Sequence, residues 1–414
     1  MDPGANGATR HFVRTALAGA AAACAGNGIA RFAYVPIFPA MVTAGWVDGG
    51  QAGLLGAGAL AGYLAGILAG RTTARRLGVP ATLDLGMALV VLSLAACAWN
   101  AGFPWLMACR ALAGVAGGLL MALAGPATQA SVPPQRRGTA GGLVIAGVGI
   151  GVVAGALMVP PLLAHGLPAT WLGIAAAVAL LWAAVRRHWP SMELHGAAAQ
   201  RPPPALLLLA TYGLHSAGMV PPMVYLADLA ARGRGMGIAA GALTWLLFGL
   251  GGIIGGVMSG RLVDRIGSRP AMLLWLAVQG LALGLALLPT PAAVIAAAIA
   301  AGFAAMGVTT VTLSVCREIA PAQSAALWVR ATAVFGVVQT AVAFALAPLF
   351  AATGESHEAV FAIGLASSLA ALAAATRLDV WSRDLMVRIC GESAWLYGPC
   401  FADSSVRGEA LEGL

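Results

Sequence analysis

Ionisable side chains are rare in this chain, so the few that interrupt apolar runs carry most of its chemistry. Arg31 lies within Gly28-Ile29-Ala30-Arg31-Phe32-Ala33-Tyr34-Val35-Pro36-Ile37-Phe38-Pro39. A charge at the centre of an apolar span costs about 2.5–3.5 kcal/mol on insertion scales, so Arg31 must face an interior that offers a partner, water or an anion. A structural ion pair and a ligand contact both satisfy that demand. Pro36 and Pro39 lack the N–H that a helix ladder needs, and they free carbonyls next to Arg31. A second run, Tyr212 to Asp228, holds His215, Pro221 and Pro222. His215 is either a proton carrier titrating near neutral pH or a hydrogen-bonded packing residue. Asp228 either pairs with Arg232 or Arg234 or belongs to a gate. Gln339, a polar side chain in another apolar run, either lines a cavity or bonds a neighbouring helix.

One dense charged block stands out: Gly260-Arg261-Leu262-Val263-Asp264-Arg265-Ile266-Gly267-Ser268-Arg269-Pro270. Its pattern is G-x-x-x-D-R-x-G-x-R. Gly260 and Gly267 permit turns that a side chain opposes. Asp264 suits a helix N-terminus, whose dipole favours an anion. Arg265 and Arg269 suit carboxylates or lipid phosphates. A degraded copy runs from Gly70 through Arg71, Arg75 and Arg76 to Gly78. There Ala74 stands in the place of Asp264, and the following glycine is displaced to Gly78. No metal cluster, nucleophile triad or phosphate loop is expected, so neither a metal, a cofactor nor an enzyme activity is assigned. Gly149-Ile150-Gly151-Val152-Val153-Ala154 matches a dinucleotide fingerprint, but it lies in a spanning run without the strand–turn–helix context that the motif requires.

The elements that must hold these residues follow from composition. The chain has 414 residues, 60% hydrophobic and 9% charged, with 55 glycines and a net charge of +8. Soluble proteins carry about 25% charged residues; this chain needs a bilayer as its solvent. Small residues suit close helix approach in lipid. The six cysteines show no C-x-x-C spacing, and no cleavable signal sequence is expected.

A spanning helix needs roughly 17–25 apolar residues, and twelve such runs are present. They cover about 15–41, 51–70, 79–99, 103–128, 138–164 and 168–187, then 205–228, 237–260, 270–288, 291–316, 325–352 and 357–377. The polar interval 189–204 links residues 15–188 to residues 205–378; residues 1–14 precede these and 379–414 form a polar tail. Arginines gather on one side of the runs, and only Arg232 and Arg234 fall on the other. The positive-inside rule then puts both termini in the cytoplasm. The arginines do not form one basic soluble face, so nucleic acid is not an expected partner. The two halves also repeat: Gly28, Gly62, Gly66, Gly70, Arg71 and Arg75 match Gly218, Gly252, Gly256, Gly260, Arg261 and Arg265 at an offset of 190.

The charged block, its copy and the repeat resemble the major facilitator superfamily over nearly the whole chain. The stretch around Arg31 and the run around His215 resemble its YbfB/YjiJ-like branch. The resemblance implies an all-α membrane protein of two pseudo-symmetric six-helix bundles, rocking around a midplane site. It implies a secondary transporter of a small solute in the bacterial inner membrane, acting as a monomer. In that family the loop with Gly260, Asp264, Arg265, Gly267 and Arg269 latches the cytoplasmic side. Arg110, followed by Gly114 and Gly118, resembles a helix-4 motif associated with proton coupling, and the other reading is an arginine reaching the outer interface. We therefore expect Arg31, Tyr34, Tyr212, His215 and Gln339 to contact solute, and Arg110, His215 and Asp228 to serve coupling. An organic anion or amino acid is the favoured solute. A drug exporter and a non-transporting sensor are the alternatives.

Overall fold

The computed structural model describes residues 3–133, 137–192 and 205–378, and over them it is helical. Helices α1 Pro3–Ala23 and α2 Tyr34–Thr43 share the first predicted span. The rest of the first half is α3 Gly49–Leu77, α4 Val79–Ala96, α5 Phe103–Ala130, α6 Arg137–Leu163 and α7 Leu167–Val185. The second half is α8 Leu206–Asp228, α9 Ile238–Ile266, α10 Ser268–Ala286, α11 Pro291–Ile319, α12 Ser324–Ala352 and α13 His357–Ala375. Ten helices among the described residues are long and apolar enough to cross a membrane. The other two predicted spans differ for physical reasons. The α1–α2 span is interrupted, and α8 is diluted by Tyr212, His215, Ser216 and two prolines. With these two, the chain forms the expected twelve-span bundle pair. Helix α1 begins at Pro3, well before the expected first span edge. Most of the linker, residues 193–204, and the tail from residue 379 lie outside the described residues.

The charged block is not the loop that its composition suggests. Helix α9 runs through it to Ile266, and α10 starts at Ser268. The whole turn is Gly267, at φ 85°, a conformation that L side chains rarely adopt. Gly78 does the same job at φ 85° between α3 and α4. Gly267 donates to Val263 O and Gly78 donates to Ala74 O, both at 2.9 Å. The two glycines are therefore equivalent, not displaced. In this register Ala74 matches Val263, and Arg75 stands where Asp264 stands.

Glycines set the helix spacing within each half. A Cβ on Gly62 would lie 2.1 Å from Ala111 O, and one on Gly114 would lie 2.1 Å from Ala59 O. Helices α3 and α5 thus meet backbone to backbone, the close approach that small residues permit in lipid. The second half repeats this between α9 and α11: a Cβ on Gly251 would meet Ile299 O at 2.3 Å, and one on Gly302 would meet Phe248 O at 1.8 Å.

Across the halves, the described contacts run from mid-depth to the Arg-poor face. Phe32 meets Trp245 and Phe38 meets Tyr225, each with ring centroids 5.7 Å apart. Gly50 admits Ala351, and Gly53 admits the Tyr225 hydroxyl, at distances that no side chain would tolerate. These contacts close the Arg-poor side above the surroundings of Arg31.

Candidate functional site

The first span breaks where its sequence requires. Helix α1 ends at Ala23, a π-helical turn covers Cys24–Ile29, and Ala30–Ala33 form a turn before α2. Pro36 has no N–H to return to Phe32, so the carbonyls before it lose their ladder. Val35 N instead donates to Phe32 O at 3.2 Å. Glycines then pull the broken segment into its neighbours: a Cβ on Gly28 would lie 2.6 Å from Gly151 Cα.

Arg110 sits under the break. It is 1% exposed, so it does not reach the outer interface. Its Nη1 donates to Ala30 O at 2.8 Å, and its Nη2 donates to Arg31 O at 3.2 Å. Its guanidinium lies 4.6 Å from the Tyr34 ring centroid. A five-donor fork is suited to taking two freed carbonyls at once. Arg110 thereby holds the backbone that presents Arg31.

Arg31 points to the boundary between the halves. Nη2 donates to Gln339 Oε1 on α12 at 2.6 Å, and Nη1 lies 3.4 Å from Asn27 Oδ1. The rings of Phe32 and Tyr63 cover its guanidinium at 4.7 and 4.9 Å. Gln339 in turn donates to Met223 Sδ at 3.2 Å. A narrow cavity is lined by Arg31, Arg110, Tyr34 and Gln339. Its apolar wall includes Phe32, Leu60, Val220 and Met223. Both halves contribute. Among the described residues, no carboxylate pairs with Arg31 or Arg110. Tyr34 also donates its hydroxyl to Ala52 O at 2.8 Å, which ties α2 to α3.

Tyr212 and His215 lie outside the lining of that cavity. Tyr212 stacks on His215 with centroids 5.7 Å apart and donates to Thr309 Oγ1 at 3.3 Å. His215 is fully buried. Its Nδ1 meets Gln279 Oε1, Gln279 Nε2 donates back to His215 O at 3.1 Å, and His215 Nε2 has no partner among the described residues. This is a separate buried polar cluster within the second half.

Asp228 anchors a chain of charges at the Arg-poor face. Arg232 donates to both its oxygens, at 2.5 and 2.6 Å, and His357 Nε2 lies 2.8 Å away. Arg232 Nη1 also donates to Glu355 Oε2 at 2.5 Å. Glu355 Oε1 then accepts from Gly49 N at 2.7 Å, at the start of α3 in the other half. So Asp228 pairs with Arg232, as one reading of the sequence had it, and the pair extends into a bridge between halves. Glu355 has φ 63° and is the only described non-glycine residue with positive φ. On the opposite face Asp264 and Arg265 are exposed, and Arg269 donates to Thr376 O at 2.9 Å.

Sequence reasoning missed Asn27, Tyr63, Met223, Gln279 and Glu355. For Glu355 a signal existed: with Glu358 it faces Arg232 and Arg234 on a face otherwise poor in charge, and Arg234 does bond Glu358 at 2.6 Å. Asn27 and Tyr63 are polar groups in apolar spans, four residues from Arg31 and beside a glycine repeat respectively.

Comparison with known proteins places this geometry. The chain is 31% identical over 280 residues to a chloramphenicol resistance protein of Streptomyces lividans, covering 62% of this chain and 67% of that one. Among solved structures it resembles the nucleoside transporter NupG, with a TM-score of 0.70 at 12% identity, covering 89% of this chain and 99% of that one. It also resembles the xylose transporter XylE of E. coli, with a TM-score of 0.69 at 13% identity, covering 94% and 98%. The model of a family described as uncharacterised MFS-type transporter YbfB matches residues 23–377. The chain is therefore a multi-pass membrane protein of the major facilitator superfamily, a member of its YbfB-like family of transporters.

Proposed function

We propose that the chain is a secondary transporter that moves a small organic anion by alternating access in the bacterial inner membrane, with both termini cytoplasmic. One observation carries this reading. Buried Arg110 and half-buried Arg31 face one cavity between the halves, and no described carboxylate neutralises either. An unpaired charge at that depth is costly, and an anionic solute would offset it. Arg31, Tyr34 and Gln339 would contact the solute directly. His215 is the candidate proton carrier, because its buried imidazole has a ring nitrogen without a partner among the described residues. The Asp264 block would act as the cytoplasmic latch once the Arg-poor side opens.

Purified protein in proteoliposomes tests this. An imposed pH gradient should drive uptake of labelled carboxylates, and Arg31→Ala should abolish it. A full rate in Arg31→Ala would end the assignment of the cavity. A second reading has one observation behind it: the Streptomyces relative is named for resistance to chloramphenicol, an uncharged molecule. Export of chloramphenicol that is insensitive to Arg31→Ala would favour that reading.

A further inference from the structure

The Arg31 guanidinium is only half used. Nη2 donates to Gln339 Oε1, whereas Nε is buried and has no hydrogen-bond partner among the described residues. These two nitrogens project from one edge of the guanidinium plane. That edge accepts a carboxylate through two parallel hydrogen bonds. A single neutral amide oxygen therefore fills one place of a two-place fork. The remaining surroundings are also neutral: Asn27 Oδ1 at 3.4 Å and the rings of Phe32 and Tyr63. Gln339 is held weakly in return, since among the described residues its amide nitrogen meets only the sulfur of Met223, a poor acceptor.

We propose that Gln339 is a displaceable stand-in for a substrate carboxylate. A small monocarboxylate takes the Nε/Nη2 edge of Arg31 and turns Gln339 away. Arg31 belongs to the broken first span and Gln339 to α12 of the second half, so the exchange also cuts a polar tie between the halves at mid-depth. Occupancy and release of the halves are then one event: the ligand binds best to the state in which the tie is broken, and so it shifts the population toward that state. The acid carries a short apolar body, because Phe32, Val220, Met223 and Val224 wall the cavity. This inference rests on the anion reading of the same cavity. It adds the ligand group, its bidentate geometry and the residue that it replaces.

Two experiments decide it. The first needs no ligand: Gln339→Glu tethers a carboxylate at the fork. Its melting temperature should exceed that of the wild type by about 2–4 °C, and the gain should vanish when Arg31→Met is added. No gain, or a gain that persists beside Arg31→Met, overturns the proposal. The second uses acetate, propionate and benzoate, each against its matched amide, at fixed ionic strength. The acids should stabilise the wild type and the amides should not. Gln339→Ala should strengthen the effect and Gln339→Glu should abolish it. Arg31→Lys, which keeps the charge but loses the fork, should weaken binding roughly tenfold. No preference for acid over amide in any pair, or unchanged acid binding by Gln339→Glu, also overturns it. Flux separates this inference from the transport reading. Acid binding with this pattern but no acid flux sustains the fork and removes the anion-transport reading. Carboxylate uptake that Arg31→Ala abolishes and Gln339→Glu leaves unchanged does the reverse.

Discussion

Glu355 offers the sharpest test of how the Arg-poor side is held shut. Its carboxylate accepts from Gly49 N at 2.7 Å and from Arg232 Nη1 at 2.5 Å, joining the α12–α13 turn to the first turn of α3. Glu355→Gln keeps the shape and one acceptor oxygen but removes the charge. The hydrogen bond to Gly49 falls from charge-assisted to neutral, a loss of roughly 0.5–1.5 kcal/mol. The favourable placement of an anion at a helix N-terminus contributes about 0.3–1 kcal/mol more. The pair with Arg232 is partly exposed, with side chains 23% and 31% accessible, and adds at most about 1 kcal/mol. Together the change weakens the closed arrangement by about 1–3 kcal/mol, a shift of roughly 5–150-fold in its population. Spin labels at Ala44→Cys and Ala352→Cys, both exposed at that face, report the gap in a cysteine-free background. Wild type should show one short distance, and Glu355→Gln should add a longer one. Gly49→Ala provides a second perturbation without a charge change, since its Cβ would lie 2.5 Å from the Glu355 carboxyl carbon. Identical distance distributions in wild type and both variants would refute the latch.

Two further outcomes follow from packing and from the helix break. Gly302→Ala puts a Cβ 1.8 Å from Phe248 O, so α9 and α11 must separate; we expect a loss of about 1–3 kcal/mol in thermal unfolding. Gly284→Ala on α10, with open space at its Cβ, serves as the control and should be neutral or mildly stabilising. Arg110→Met strands the carbonyls of Ala30 and Arg31. Each buried, unpaired carbonyl costs about 1–3 kcal/mol, so the melting temperature should fall by several degrees even without any solute. A melt unchanged from wild type would show that Arg110 does not support the broken segment.

Most of the fold was legible in one dimension. Twelve apolar runs, few charges and arginines on one side suffice for a twelve-span membrane bundle, because a bilayer imposes length and polarity on each helix separately. The Gly-rich repeat likewise announced two similar halves, although its register was off by one: Gly78 and Gly267 are equivalent in conformation, and Gly251 and Gly255 make the close approaches to α11. That is a general limit. Helix periodicity shows that a face is glycine-rich, but only packing decides which glycine meets a backbone.

The site divides along the same line. Arg31 was legible because a charge in an apolar span must find company, and Pro36 and Pro39 forecast a break beside it. Which company Arg31 finds is a tertiary fact: Gln339 lies 308 positions away in sequence, and no pattern pairs them. The same holds for Arg110, whose donors fill backbone carbonyls of another helix, and for His215, which the fold sets against Gln279 rather than beside Arg31. The charged block from Gly260 to Pro270 was the loudest feature of the chain, yet it is the end of one helix and the start of the next, joined by a single glycine. The polar closure between the halves lies at the other face, through Glu355 and Gly49. Sequence alone determined the solvent, the span count and which charges are costly. Tertiary structure decided how those charges are satisfied, because that depends on which helices the bundle brings within about 3 Å of one another.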